Sequence, residues 1–459
     1  VGEEPAKHRP NLLVIVTDEH HYGTLSCYGG KIVQTTHIDS LAKEGATCTS
    51  FYATTPVCSP SRAAFVSGLY PQNTPVVTNN ISLDDKIVTF AELLRRRGYA
   101  TGYAGKWHLD GAGKPQWAPK RKFGFDDNRF MFNRGHWKKL EDSKTGPRVA
   151  ARNARGKPDY GVKGADQKSF ATDWLTDKAI DFVRTNREKP FCYVLSLPDP
   201  HGPNSVRSPY DTMYADVEVP IPSTLKKTAA ETPGWAKPTA KVNAAALRRL
   251  MPAYYGMVKC IDDNVGRLLA VLRKDGVLDR TIVVFTSDHG DLCGEHGRLN
   301  KGVPYEGSAR VPFLLRFPSK VKAGTRIDEA LSCVDFLPTV LPLMGVDVPS
   351  GVEGRDASGL FTGSRPSTWH DVAIFRSTPG NIWICAVSDR YKLVFSQSDR
   401  PWLFDLEKDP HERRNLFGDP ERRPFVRQLA IDLAAYGTKS GDVYCDHPKI
   451  RAEIAAAAK

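Results

Sequence analysis

Apolar runs of strand length recur along the first two thirds of the chain, at residues 11–17, 99–104, 191–197 and 281–287. Unbroken runs of that length describe strands covered on both faces, as in a parallel sheet enclosed by helices. Between them, residues 89–97, 167–188 and 244–274 carry apolar positions at helical spacing, and Gly276 is placed to end the last of these. Strands alternating with helices predict an α/β fold with a large central sheet, mostly parallel or mixed, flanked by helices. After Gly345 the pattern shortens and alternates around 371–375, 381–387 and 391–396, followed by a helical stretch at 422–436. That predicts a small C-terminal α+β domain, a short antiparallel sheet with one helix packed on it. The Gly/Ser/Pro-containing stretch 351–366 sets the boundary near Ser364, dividing the chain into 1–364 and 365–459. Two long polar segments, 111–168 and 202–242, interrupt the α/β pattern. Loops of that length in a compact domain are functional or disordered.

Composition narrows the classes. With 459 residues, 41% of them apolar, the chain can bury a large core. No apolar run approaches the roughly 20 residues that cross a bilayer, so no membrane span is expected. The formal charge is +12, and segment 111–168 holds 15 Lys/Arg against 6 Asp/Glu. Such a segment is either a solvated basic loop or a subsite for an anionic partner. Nucleic acid is not the expected partner, because no zinc-finger spacing, basic heptad helix or ribonucleoprotein-type aromatic motif accompanies the charge. The nine cysteines are odd in number, irregularly spaced and without a C-x-x-C pair, so at least one is unpaired or chemically altered. Cys192 and Cys260 sit in apolar surroundings that suit inert buried thiols.

Four predicted strands end in polar groups: Asp18-Glu19, Lys106-x-His108, His201 within Pro200-His201-Gly202-Pro203, and Asp288-His289-Gly290. In open α/β sheets, ligands bind beyond the carboxyl ends of the strands, where loops and helix N-termini leave polar groups free to converge. A single such ending can be a helix cap; four together describe a site. Asp18, Glu19, Asp288 and His289 supply carboxylate oxygens and an imidazole, a set that favours calcium, with magnesium second, over zinc. Taken singly, Asp18 also suits a helix cap and His289 a hydrogen-bonded core histidine. Downstream, Pro60 is placed to start a helix and Gly68 to stop it, which puts Cys58 at a helix N-terminus that attracts anions. Arg62, one turn on, can lean back towards the same point.

The run Cys58-Ser59-Pro60-Ser61-Arg62 resembles the C-x-P-x-R signature of the type I sulfatases. The stretch from Gly98 to His108, the Ser287-Asp288-His289-Gly290 block with Lys301, and Val334-Asp335-Phe336-Leu337-Pro338 resemble further motifs of that family, in order and across nearly the whole chain. The resemblance implies an alkaline-phosphatase-like fold and a sulfuric ester hydrolase whose Cys58 is oxidised to Cα-formylglycine (3-oxoalanine) by a separate maturation enzyme. It also implies one metal ion held by Asp18, Glu19, residue 58, Asp288 and His289. The family usually has Asp, or in some branches Gln, where this chain has Glu19. A hydrated aldehyde has two hydroxyls: one attacks sulfur and the other helps expel the sulfate. Lys106 and Lys301 would stabilise the sulfate charge, His201 or Lys301 would protonate the leaving alcohol, His108 would take the proton from the second hydroxyl, and Arg62 would orient residue 58.

The expected substrate is a sulfated carbohydrate, because the basic segment 111–168 begins where the strand ending in Lys106-x-His108 stops. Arg134, His136 and Trp137 stand out there as sugar contacts, with Trp137 alternatively an anchor of the loop to the core. A phosphodiester or phosphonate monoester hydrolase of the same superfamily is the runner-up, and a non-catalytic sulfated-glycan-binding protein is a third reading. No initiator Met or apolar signal region precedes the fold, so any targeting peptide lies outside this chain, and a periplasmic or secreted location is expected.

Overall fold

The computed structural model describes residues 9–239, 241–364 and 369–459. Eight strands form the central sheet: β1 (Asn11–Asp18), β2 (Ala46–Cys48), β3 (Ala100–Lys106), β4 (Asp127–Phe132), β5 (Phe191–Pro200), β6 (Thr281–Ser287), β7 (Phe313–Arg316) and β8 (Thr325–Ile327). Their spatial order is β8-β2-β7-β6-β1-β5-β3-β4. All neighbours pair in parallel except β7, which is antiparallel to both β6 and β2. This is the expected mixed α/β sheet. The four long strands read from the pattern form its middle, and the four unread ones complete its edges.

Strand β1 shows why the unbroken apolar run was informative. Leu12, Val14 and Val16 enter one core with Phe65, Phe90 and Phe336. Leu13 and Ile15 enter the opposite core with Trp174, Leu175 and Ile261. Helices α1 (Thr36–Glu44), α2 (Cys58–Ser67), α3 (Phe90–Arg96), α4 (Ala171–Asn186), α5 (Ala244–Lys274) and α6 (Phe336–Leu343) cover these faces. Gly276, marked by the sequence as a helix stop, follows α5 in the left-handed region at φ +67°, and the Thr89 hydroxyl caps α3 by accepting from the Glu92 N–H. Among the described residues no helix is long and apolar enough to cross a membrane.

The C-terminal part contains the antiparallel sheet β9 (Ala373–Arg376), β10 (Trp383–Val387), β11 (Tyr391–Ser396) and β12 (Trp402–Asp405), in that order. Two helices, α7 (Arg423–Ser440) and α8 (Pro448–Ala457), pack on one face where one was expected. Trp383, Cys385 and Trp402 on the other face pack against Tyr52, Trp235 and Tyr305. The buried ammonium of Lys392 on β11 bridges Glu306 (2.6 Å) and Glu412 (2.8 Å). The junction at 365–368, where the boundary was drawn, lies outside the described residues.

Candidate active site

The parallel register brings the strand ends together. Thr17 pairs with Ser287 and Asp18 with Pro200, so the residues just beyond β1, β5 and β6 emerge side by side, with Lys106 ending the adjacent β3. Helix α2 enters this edge from the loop after β2. It begins at Cys58, is buried throughout, and ends at Gly68, whose N–H donates to Ala64 O at 2.9 Å with φ +69°. The Ser59 N–H, one of the donors a helix start leaves free, is accepted by Asn79 Oδ1 at 3.0 Å.

Asp18, Cys58, Asp288 and His289 each present a ligand atom, all within 4.8 Å of one another and all buried. His289 Nδ1 lies 2.9 Å from Gly290 O, so that nitrogen carries the hydrogen and Nε2 is left as the bare one in the neutral ring. Nε2 faces Cys58 Sγ at 3.2 Å, Asp288 Oδ1 at 3.5 Å and Asp18 Oδ1 at 3.7 Å. Asp288 Oδ1 accepts from the His289 and Glu19 N–H groups at 2.9 and 3.2 Å and Lys106 approaches Cys58 Sγ, but towards one another these four side chains turn lone pairs and negative charge, which call for a cation or a proton. Burial disfavours the imidazolium, but Asp288 and Cys58 together outweigh it and raise His289 to about 9. The donor set therefore fits a hard divalent cation, which would displace that proton.

Two basic side chains frame this group. Arg62 Nε donates to Asp288 Oδ2 at 2.8 Å, its Nη1 to Lys106 O at 2.7 Å and Ser196 Oγ at 2.8 Å, and its Nη2 lies 3.4 Å from Asp18 Oδ2. Lys106 Nζ donates to Asp18 Oδ2, lies 3.5 Å from Cys58 Sγ, and reaches His136 Nε2 at 2.9 Å. Burial opposes the Cys58 thiolate, yet Lys106, aided by Lys301 and His289, holds the thiol well below its ordinary value.

Glu19 stands apart from the four-residue group. Its carboxylate points to His201 Nε2 (2.8 Å) and Lys301 Nζ (3.0 Å), which are themselves 2.8 Å apart. Burial would raise Glu19, but His201 and Lys301 bring it down to about 2. The physical reason is reach: with φ +61° at Glu19 and the extra methylene, the carboxylate extends past the metal donors to His201 and Lys301 across the cleft. His201 Nδ1 faces Gly202 O at 2.9 Å. Lys138, on the basic segment, supports this strand end from below, donating to Asp199 Oδ1 at 2.6 Å and His201 O at 3.1 Å.

His108, 6% exposed and at φ +60°, turns its Nε2 to Asn80 Oδ1 at 3.3 Å. Its Nδ1 is buried without a hydrogen-bond partner. Because the amide oxygen accepts, Nε2 carries the hydrogen and Nδ1 is a bare base. Burial, with Lys106 nearby, lowers His108, opposed by its contact with Cys58.

Above Cys58 opens a cavity of about 160 Å³. Lys106, His108, His136, His201 and Lys301 line its inner wall, Asn79 and Asn80 one side, and Lys114, Arg134 and Tyr160 the rim. The His136 and His201 rings stack with centroids 3.4 Å apart. Burial, then Lys106, lowers His136 well below its usual range, so it is neutral. Trp137 corrects one expectation. It is 2% exposed, donates its Nε1–H to Arg134 O at 3.0 Å and packs on Tyr160 with centroids 4.8 Å apart. It anchors the loop, and Tyr160 is the aromatic ring that reaches the cavity. Lys114 lay within the basic segment without standing out from it, whereas nothing in the sequence marked Asn79, Asn80 or Tyr160.

The sulfatase family profile matches residues 10–346, and the profile of the N-sulphoglucosamine sulphohydrolase C-terminal region matches residues 294–439. An arylsulfatase of Clostridium perfringens is 31% identical over 92% of this chain and 94% of its own. An N-acetylglucosamine-6-O-sulfatase of Bacteroides thetaiotaomicron is 28% identical over 92% of this chain and 85% of its own. A protein solved in complex with its substrate D-glucosamine-2-N,6-O-disulfate superposes with a TM-score of 0.79 at 25% identity, covering 96% of this chain and 99% of that one. With the profile match across most of its length and these relatives along nearly all of it, the chain belongs to the sulfatase family of sulfuric ester hydrolases.

Proposed function

We propose that this sulfatase removes a sulfate ester from a sulfated carbohydrate at the cavity above residue 58. One observation carries the assignment of the site. Cys58 opens a buried helix at the point where Asp18, Asp288 and His289 converge, with Lys106 within 3.5 Å of its sulfur. Formylglycine at position 58, produced by a maturation enzyme, supplies a hydrated aldehyde in place of the thiol. Calcium, with magnesium second, would be held by Asp18, residue 58, Asp288 and His289, and when bound supplies charge that acidifies a hydroxyl and polarises the sulfate.

The chain's own residues do the rest. Arg62 fixes Asp288, Asp18 and the Lys106 carbonyl, and so sets the orientation of everything around residue 58. Lys106 and Lys301 place positive charge against the sulfate oxygens. Lys301 keeps one N–H beyond those directed at His201 and Glu19, so the His201–Lys301 pair is the proton donor for the departing alcohol. Glu19 is assigned to that pair and holds both members in place. His108 accepts a proton from residue 58 through its bare Nδ1. Neutral His136, accepting from Lys106 at Nε2, has Nδ1–H to donate.

The preference for a sugar rests on the cationic, half-open cavity and on the sugar named for the two relatives above. Residues 1–364 are read as the catalytic domain and 365–459 as a smaller domain that closes against it. A periplasmic or secreted location is part of the same reading, because sulfated glycans are met outside the cytoplasm. The test is parallel assay of the matured enzyme on glucosamine 6-O-sulfate, 4-nitrophenyl sulfate, an aryl phosphodiester and an aryl phosphonate monoester. Sulfate release is expected to dominate. Preferential turnover of either phosphorus ester would move the chain to that reading, and sugar binding without turnover of any ester would make it a binding protein.

A further inference from the structure

The cavity's charges are of two kinds. At its inner end each ammonium already faces a carboxylate: Lys106 donates to Asp18, and Lys301 lies 3.0 Å from Glu19. At the rim, among the described residues, Lys114 and Arg134 face none. Arg134 donates one N–H to Ala112 O at 3.0 Å and keeps the rest of its guanidinium for the cavity. Lys114 holds its ammonium 4.6 Å from the Tyr160 ring centroid and 5.5 Å from that of Trp137, an aromatic platform that orients a cation without neutralising it. Trp137 in turn binds the carbonyl of Arg134 at 3.0 Å, so the two cations and the platform form one unit. Among the described residues no acidic side chain lines the cavity. A single sulfate seated at residue 58 would leave this outer pair without a counter-charge.

We propose that Lys114 and Arg134 form a second anion subsite, which takes a further sulfate or a carboxylate of the same or the adjoining sugar. The reaction then selects substrates carrying two anionic groups. This rests on the sulfated-sugar reading of the site and adds its specificity element. Arg134 can grip an oxyanion through two N–H donors, while Lys114 acts as a point charge.

The test compares wild type with Lys114→Met, Arg134→Met and the double variant. Methionine keeps an unbranched stem over the Tyr160 and Trp137 rings. Substrates with one anion are 4-nitrophenyl sulfate and glucosamine 6-O-sulfate. Those with two are glucosamine-2-N,6-O-disulfate, which offers a second sulfate, and a uronic acid–glucosamine 6-O-sulfate disaccharide, which offers a carboxylate. Each variant is expected to lower kcat/KM on a two-anion substrate by about tenfold or more, the scale of one charge-assisted hydrogen bond. One-anion substrates should stay within about twofold, and the two-anion preference should weaken with salt. Whichever two-anion substrate shows the loss identifies the group recognised. Equal losses on both classes, or none on either, overturn the proposal. Calorimetric titration of the Cys58→Ala protein with glucosamine-2-N,6-O-disulfate reads the subsite without turnover. Binding that depends on Lys114, together with no sulfate release from any of these substrates by the matured wild-type enzyme, would refute the sulfatase reading and leave the subsite standing, whereas binding indifferent to Lys114 removes the subsite alone.

Discussion

Replacing Asp18 with Asn separates the two tasks this carboxylate performs. The side chain is fully buried. Oδ2 accepts from Lys106 and lies 3.4 Å from Arg62, and Oδ1 lies 3.7 Å from His289 Nε2 and 3.8 Å from Cys58 Sγ. Burial alone would raise its pKa, but Lys106, then His201 and Arg62, hold it well below the usual carboxylate range, so it is ionised at neutral pH. Asparagine keeps the shape and removes the charge. Lys106, itself fully buried, then loses the carboxylate it faces, and an uncompensated buried charge costs about 3–5 kcal/mol. Separately, a cation at a hundredfold excess over its Kd adds about 2.7 kcal/mol to the wild-type fold. That increment should collapse in the variant, because one of four donors is neutralised. Urea unfolding at neutral pH, with calcium or with a chelator, reads both terms. The depressed folded pKa means that the stability from Asp18 is present above the unfolded value of about 3.9 and is lost only as pH falls through the folded value. The gap between wild type and variant should therefore persist across neutral pH and narrow in acid. An Asp18→Asn protein that unfolds at the wild-type urea concentration in chelator and keeps the full calcium increment would refute the reasoning.

Other consequences follow from the same geometry. Cys58→Ala should fold normally by circular dichroism and release no sulfate, and Cys58→Ser should retain sulfate on the protein by mass spectrometry, because a single hydroxyl cannot expel it. Glu19→Gln should keep the calcium increment in urea unfolding while turnover on alkyl sulfates falls by at least about tenfold, since the carboxylate serves His201 and Lys301; loss of the increment would make Glu19 a metal ligand. Lys392→Met leaves Glu306 and Glu412 facing each other in the interior and should cost about 3–5 kcal/mol in thermal or urea unfolding, with the calcium increment intact.

The parts legible in the sequence were those whose periodicity or punctuation is local. The run 11–17 identified β1 because both its faces are buried, and Gly68 marked the end of α2 because its αL position favours glycine. Edge strands of three or four residues, such as Ala46–Cys48 and Thr325–Ile327, are too short to show a period, and their pairing is decided by distant partners. Helix α8 was missed because alanines fill its sequence from 455 to 458 and its apolar stripe is thin. Strand-end residues declared the site, since topology alone makes Asp18, Lys106, His201 and Asp288 neighbours. Side-chain direction was not legible. Whether Glu19 turned to the metal group or to Lys301, and whether Trp137 faced the sugar or the core, depended on backbone angles and on packing with Tyr160, neither of which leaves a trace in residue type.

The central claim is that residue 58, converted and held among Asp18, Asp288 and His289, is the nucleophile for sulfate ester cleavage. Preparations matured to different extents, each with its formylglycine fraction at position 58 read by mass spectrometry, test it on 4-nitrophenyl sulfate. The predicted result is a rate that rises in proportion to that fraction and extrapolates to zero with unconverted Cys58. A rate independent of the fraction would contradict it.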